Sequence, residues 1–297
     1  TMGQGGFQEV EQMNLFKDMV CYQEEVRDPS RMAEVLNRVI EKAIRGSAPA
    51  QINVPRDYWC QVIDIDLPPI VRLERQGGGA DAIAKAADLL SKAKFPVILS
   101  GAGVVIGGAI EETKKLAEKL DSPVCSGYQH NDSFPGSHPL AVGPLGYNGS
   151  KAAMQLISKA DVVLALGTRL NPFSTLPGYG IDYWPKNANI IQVDMNPDRI
   201  GLTKKVTVGI AGDAKQVAQQ ILNKLSSKAG DSGREERKNL IHQTKSAWLQ
   251  TLTSLDHEED DPGTVWNKEA RERDKDRMSP RQAWRAIQAA MPEDAII

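Results

Sequence analysis

Between residues 96 and 210 one pattern recurs: a short run of apolar, often β-branched residues, a glycine-rich or polar break, then a stretch with helical periodicity. The runs are Pro96-Val97-Ile98-Leu99-Ser100, Pro123-Val124-Cys125, Asp161 through Gly167, Asn189 through Asp194, and Val206-Thr207-Val208-Gly209-Ile210. None alternates apolar with polar residues, so each strand must bury both faces. Helical spacing appears before the first run (Ile83, Ala86, Ala87, Leu90), around Ile110, Leu116 and Leu120, from Ser150 to Lys159 and from Ala214 to Leu225. Strands of this kind separated by helices specify an α/β fold with a parallel sheet covered on both sides.

The flanks read differently. Asp28-Pro29 opens a helix, with a capping carboxylate and a proline where the missing donor costs nothing. Its apolar stripe is Met32, Val35, Leu36, Val39, Ile40 and Ala43, and Gly46 is the expected left-handed stop. A strand Ala50-Gln51-Ile52-Asn53-Val54 follows and ends at Pro55. One helix and one strand make only a partial α/β unit, assigned to residues 1–62. Residues 63–82, with Pro68-Pro69 and Gly77-Gly78-Gly79, read as a linker, and 83–226 as the central domain. Residues 227–277 place charge at most positions and are expected to be a linker containing one docked amphipathic helix with Ile241, Trp248, Leu252 and Leu255 on one face. Residues 278–297 begin another α/β unit, with a helix after Ser279-Pro280 and a strand at Ala295-Ile296-Ile297.

Composition narrows the function. Lys+Arg 36 against Asp+Glu 38 gives a net charge of -2 with no basic stripe, which argues against nucleic acid and for small-molecule partners. Cys21, Cys60 and Cys125 have neither disulfide nor zinc spacing and are expected to be buried, reduced thiols in the cytoplasm. No apolar run approaches the roughly 20 residues that cross a bilayer, so no membrane is expected.

Ligands of open α/β sheets bind beyond the carboxyl ends of strands, and three candidate segments fall there. Gly101-Ala102-Gly103, with Gly107-Gly108 before the next helix, either lets backbone N–H groups approach a pyrophosphate or only packs strand against helix. Arg169, in Gly167-Thr168-Arg169, either holds a phosphate or pairs with a carboxylate, and Asp194 either accepts from a ribose hydroxyl or caps its own turn. His130 and His138 lie eight residues apart, which suits neither a metal pair nor a hydrolase triad. Tyr128, Tyr147, Phe173, Tyr179, Tyr183 and Trp184 either bury an interface or stack a ligand.

The order Gly6-Phe7-Gln8-Glu9-Val10, Asp28-Pro29, then Pro49 through Asp57 resembles the end of the pyrimidine-binding domain of thiamine-diphosphate enzymes such as acetolactate synthase. Phe134-Pro135-Gly136-Ser137-His138-Pro139-Leu140, Gly143-Pro144-Leu145-Gly146, Ala165 through Arg169 and Val193 through Gly201 resemble that family's central domain. Essentially the whole chain is covered. The resemblance implies a Rossmann-like parallel-sheet central domain flanked by partial α/β domains, and a homodimer or homotetramer. Cys21 through Arg27, Ser126 through Asp132 and Asn171 through Trp184 are most similar to members that convert sulfoacetaldehyde and phosphate into acetyl phosphate and sulfite. It further implies that Gln8 reaches the substrate across a subunit boundary as a hydrogen-bond donor, and that thiamine diphosphate and Mg²⁺ are the cofactors. By position, the family's activating glutamate would precede Thr1 and its Gly-Asp-Gly metal motif would follow Ile297, so these 297 residues are not expected to turn over alone. Where acetolactate synthases have Phe-Asp-Asp-Arg before FAD, this chain has Arg169-Leu170-Asn171-Pro172. That argues against FAD and leaves the central cleft either empty or open to an adenine nucleotide such as ADP. The remaining readings are an acetolactate synthase-like or 2-oxo acid decarboxylase-like enzyme, and a non-catalytic nucleotide-binding module.

Overall fold

The computed structural model describes residues 3–69, 74–254, 278, 280–292 and 295. The acidic run 256–261, the basic run 271–277, Leu255, Ser279 and the expected terminal strand at Ile296-Ile297 lie outside the described residues. The chain divides into two units, Thr1–Arg75 and Gln76–Ile297.

In the first unit a short helix α1 (Gln12–Phe16) precedes strand β1 (Tyr22–Glu25), helix α2 (Met32–Gly46) and strand β2 (Ala50–Asn53), with β1 and β2 parallel. Asp28 accepts from the Ser30 N–H at 2.9 Å and Pro29 opens the turn that leads into α2, as the sequence indicates. The end differs. Gly46 is the last helical residue and Ser47 takes the left-handed conformation (φ 45°). Gly46 is small for another reason: a Cβ there would stand 3.1 Å from the Cys21 Sγ. Two strands cover only part of the apolar stripe of α2. Val35 and Val39 are buried with Val26, while Leu36 and Ile40 stay 43% and 48% exposed.

The second unit opens with helix α3 (Ala80–Lys92) and strand β3 (Pro96–Ser100), followed by α4 (Ala102–Gly107), α5 (Ile110–Leu120), β4 (Val124–Ser126) and β5 (Ala141–Pro144). Then come α6 (Lys151–Ile157), β6 (Val162–Leu166), β7 (Asn189–Asp194), β8 (Val208–Ala211), α7 (Ala214–Lys224), α8 (Arg234–Ser254) and α9 (Pro280–Ala290). The strands form one sheet in the order β5-β4-β3-β6-β7-β8 with every neighbouring pair parallel. Side chains alternate between its faces. Ile98, Leu164 and Ile191 pack with Leu90, Leu116 and Val217 of α3, α5 and α7, whereas Val97, Leu99 and Val163 pack with Leu156, Ile157 and Ile241 of α6 and α8. Both faces are therefore dry, which is why these strands carry no polar alternation.

Helix α8 occupies Arg234–Ser254 of the charged stretch 227–277 and is anchored on the sheet. Arg237 is 1% exposed, and its guanidinium donates to five backbone carbonyls: Asp121, Lys94, Ser232, Leu120 and Gly230, at 2.5 to 2.9 Å. The Leu120 and Asp121 carbonyls are among those that the end of α5 leaves without helical partners, so the cation closes that helix while holding α8.

Candidate functional site at the strand crossover

Counting from β3, the sheet order is 3-2-1-4-5-6, which turns back on itself between β3 and β6. At such a switch point the loops leaving adjacent strands diverge and open a crevice. Gly101–Gly103 and Gly167–Arg169 are the two loops that leave there.

At these glycines the two loops do not diverge but touch through backbone. A Cβ on Gly103 would lie 2.7 Å from the Gly167 Cα, and one on Gly167, whose φ is +63°, 2.7 Å from the Gly103 Cα. Only glycine fits at both positions. The Gly101 and Gly103 N–H groups donate to the carbonyls of Leu166 (3.1 Å) and Gly167 (2.8 Å), so they tie the two strand ends together. These two amides are therefore taken up by strand-end carbonyls and are not offered to a phosphate. Arg169 is exposed and has no hydrogen bond or ion pair among the described residues.

Asp194, 8% exposed at the end of β7, accepts from the Asn196 N–H at 2.9 Å. It therefore caps its own turn, and one carboxylate oxygen remains for another donor. Sequence reasoning passed over Gln192. Its buried side chain donates to the carbonyls of Thr168 (3.2 Å) and Arg199 (3.1 Å) and accepts from the Gly201 N–H (2.9 Å), which fixes the Arg169 loop against the loop after β7. A polar residue inside the otherwise apolar run 189–194 was the available signal.

The loops beyond β4 to β6 divide the aromatic cluster. Tyr128 meets Phe173 edge-on at 5.2 Å, and Tyr147 lies 5.9 Å from the same ring, with Tyr147 and Phe173 still largely exposed. Tyr179 instead packs on Trp248 of α8 at 5.6 Å, and Lys204 sits over Trp184 at 4.9 Å. Tyr183 is buried, and burial pushes its hydroxyl up to about 12 against a smaller opposing pull from the Gly146 backbone. Of the three cysteines expected to be buried only Cys125 is, which raises its thiol and leaves it inert, whereas Cys21 and Cys60 are exposed because the small two-strand unit that carries them leaves much of its surface uncovered. The histidines do not converge: His138 bonds Glu118 at 3.2 Å, and His130 lies 3.8 Å from Asp132.

Gln8 belongs to the first unit, where it is exposed at φ +65°. That unit also has a polar cavity of 440 Å³ at β1, lined by Glu24, Glu25, Arg27, Asp28 and Arg31 among others. Glu24 accepts two hydrogen bonds from Arg38 (2.7 and 2.8 Å) and one from the Tyr22 hydroxyl, which together hold its carboxyl at about 2.

Residues 83–221 match the model of the thiamine pyrophosphate enzyme central domain. The crossover sheet with its glycine seal lies within that match, and the chain belongs to the thiamine pyrophosphate enzyme family. Within the family the likeness is more particular. It is 78% identical over all 297 residues to the probable sulfoacetaldehyde acetyltransferase of Rhizobium meliloti (strain 1021), and 75% identical to the sulfoacetaldehyde acetyltransferase of Roseovarius nubinhibens. The chain covers 50% and 49% of those relatives, about half their length. A probable acetolactate synthase large subunit of Methanocaldococcus jannaschii is 35% identical over 262 residues, 86% of this chain and 42% of the relative. The solved benzoylformate decarboxylase of Polynucleobacter necessarius shares the fold, with a TM-score of 0.64 at 23% identity over 75% of this chain and 42% of that one.

Proposed function

We propose that the whole protein is a thiamine-diphosphate-dependent acyltransferase that converts sulfoacetaldehyde and phosphate into acetyl phosphate and sulfite. The observation that carries this reading is the 78% identity over the full 297 residues to a probable sulfoacetaldehyde acetyltransferase, against 35% to an acetolactate synthase. The cofactor, when bound, supplies the carbanion chemistry, and the protein supplies orientation, electrostatics and exclusion of water.

Among the described residues no group of three or more His, Cys, Asp and Glu side chains could hold a metal ion, and the sequence contains no Gly-Asp-Gly. These residues therefore do not fit as the ligand set for Mg²⁺. Their share is different. Gln8, exposed on its loop, is a positioning hydrogen-bond donor offered to substrate in a neighbouring subunit of a homodimer or homotetramer. The crossover seal shapes the central cleft, where Arg169 is the group suited to a nucleotide phosphate such as that of ADP. The proposed compartment is the cytoplasm; among the described residues no helix is long and apolar enough to cross a membrane.

The test is sulfite release and acetyl phosphate formation by the whole protein supplied with sulfoacetaldehyde, phosphate, thiamine diphosphate and Mg²⁺. Turnover is expected there and not from the 297 residues alone, and Gln8→Ala should lower kcat by ten- to a hundredfold, the range of a lost positioning contact. Pyruvate condensation without sulfite release would overturn the reading.

A further inference from the structure

The segment that carries Gln8 is held by hydrogen bonds and not by packing. Phe7 is 95% and Val10 54% exposed, and Gly3, Gly5 and Gly6 are exposed beside them. Glycines at three of the four positions 3–6 make such a stretch costly to order, and φ is +76° at Gly3 and +67° at Gly5. Gln8 stands at φ +65° in the same stretch. A residue with a side chain rarely adopts that left-handed conformation unless its surroundings impose it, and such outliers gather at functional positions.

What imposes it is Glu9. Its N–H donates to the Gly6 carbonyl at 3.1 Å, which closes a turn over Gly6, Phe7, Gln8 and Glu9 and puts Gln8 at the third position, where a positive φ ordinarily selects glycine. Its carboxylate accepts from the Gly6 N–H at 3.0 Å and from the Gly3 N–H. Gly6 is thus bonded to Glu9 through both its carbonyl and its N–H, and the carboxylate gathers the glycine stretch around the turn. The Gly3 and Gly6 amides hold that carboxyl below the usual carboxylate range, so it is ionised at neutral pH. The Gln8 side chain, by contrast, has no hydrogen bond among the described residues, and its amide is left to meet a ligand.

We propose that Glu9 is a positioning residue for the acyl transfer: its carboxylate locks the turn that holds Gln8 left-handed, and so fixes where the Gln8 amide is offered to substrate. Without the carboxylate the turn keeps its main-chain bond alone, Gln8 relaxes to a negative φ, and its side chain leaves the backbone in another direction. A misplacement of about 1 Å is enough to cost about a hundredfold in rate. Glu9 itself touches no reacting atom. The inference rests on the acyl-transfer reading for the role of Gln8, whereas the state of the turn does not.

Sulfite release by the whole protein, supplied with sulfoacetaldehyde, phosphate, thiamine diphosphate and Mg²⁺, tests the role. Glu9→Gln keeps the shape but sets an NH₂ against one of the two N–H donors. It should lower kcat about tenfold and leave KM for sulfoacetaldehyde within about twofold. In a Gln8→Ala background the same change should cost nothing further, because the two side chains act as one unit. Glu11→Gln removes an equal charge from a side chain that makes no cap hydrogen bond, and should leave kcat unchanged. No loss in Glu9→Gln, additive losses in the double variant, or equal losses in Glu9→Gln and Glu11→Gln would each overturn the proposal. The turn is read separately by nuclear magnetic resonance of the 297-residue chain with isotope-labelled glycine, where the Gly3 and Gly6 amide protons should move upfield in Glu9→Gln. Sulfite release with those resonances unmoved overturns the Glu9 proposal alone. A whole protein that releases no sulfite overturns the acyl-transfer reading and the positioning role with it, even where the glycine resonances move.

Discussion

Replacing Arg237 by methionine keeps a flexible stem of similar reach and removes the five-donor head, so it isolates what the guanidinium does. Five hydrogen bonds from a buried cation to neutral carbonyls converge on Lys94 before β3, the Leu120-Asp121 end of α5, and the Gly230 and Ser232 turns before α8. Each charged bond is worth about 1.5–3 kcal/mol net, but they share one group and cannot be added. Removing the cation also recovers its desolvation cost, which is visible in the lowered pKa that burial imposes. The carbonyls left behind in a 1% exposed site regain neither partner nor water. The balance is that of leaving several buried neutral acceptors unpaired, about 1–3 kcal/mol each but not additive, so about 3–5 kcal/mol in all. For a unit of this size that lowers the melting temperature by about 10 °C. Near-ultraviolet circular dichroism reads it, because Trp184 and Trp248 report on the sheet unit, and limited proteolysis should cut α8 earlier. Arg237→Lys should recover less than half of the loss, since one ammonium cannot span carbonyls placed around a planar fork. If Arg237→Met melts within 2 °C of the parent, the clasp does not hold α8 and the reasoning fails.

The acid side of the first unit should depend on Arg38. It bonds both Glu24 and Glu34, which together with Tyr22 and Arg31 holds each carboxyl at about 2, below the roughly 4.3 of an unfolded glutamate. A lowered folded-state value means stabilisation present above about pH 4.5 and lost as the pH falls toward 2, with the half-exposed Glu34 contributing less through screening. Arg38→Gln should flatten that slope in the urea midpoint reported by the Tyr22 and Tyr58 resonances, and an unchanged slope removes the network from the account. At the crossover, ADP at a hundred times its Kd should stabilise the chain by about 2.7 kcal/mol, a shift of about 5–10 °C. Arg169→Ala should lose most of that shift, and an identical shift in the variant takes Arg169 out of the cleft.

How much of this molecule the sequence discloses depends on how completely each segment is buried. Strands β3, β6 and β7 have both faces in the core and read directly as apolar runs. Strand β1, Tyr-Gln-Glu-Glu, is half-buried throughout and carries no apolar period, so nothing marked it. Strand β5 contains Gly143 and Pro144, residues that argue against an interior strand, and the fold admits them because β5 is an edge. The stop of α2 was misplaced by one residue because Gly46 answers to Cys21 and not to a left-handed turn.

The crossover itself could be located from glycine placement, but what the glycines do could not. Gly101, Gly103 and Gly167 could equally have faced an anion or each other, and that choice rests on a contact between residues more than sixty positions apart, which no local pattern encodes. Arg237 and Gln192 were missed for the same reason: their partners are backbone carbonyls, and carbonyls leave no signature in a sequence. Polar side chains that organise a fold through main-chain atoms are invisible until the chain is folded, whereas those that organise it through apolar area announce themselves by period. The resemblance in ordered segments, such as Phe7-Gln8-Glu9 and Val193 through Gly201, therefore carried the family assignment where periodicity could only reach the fold class.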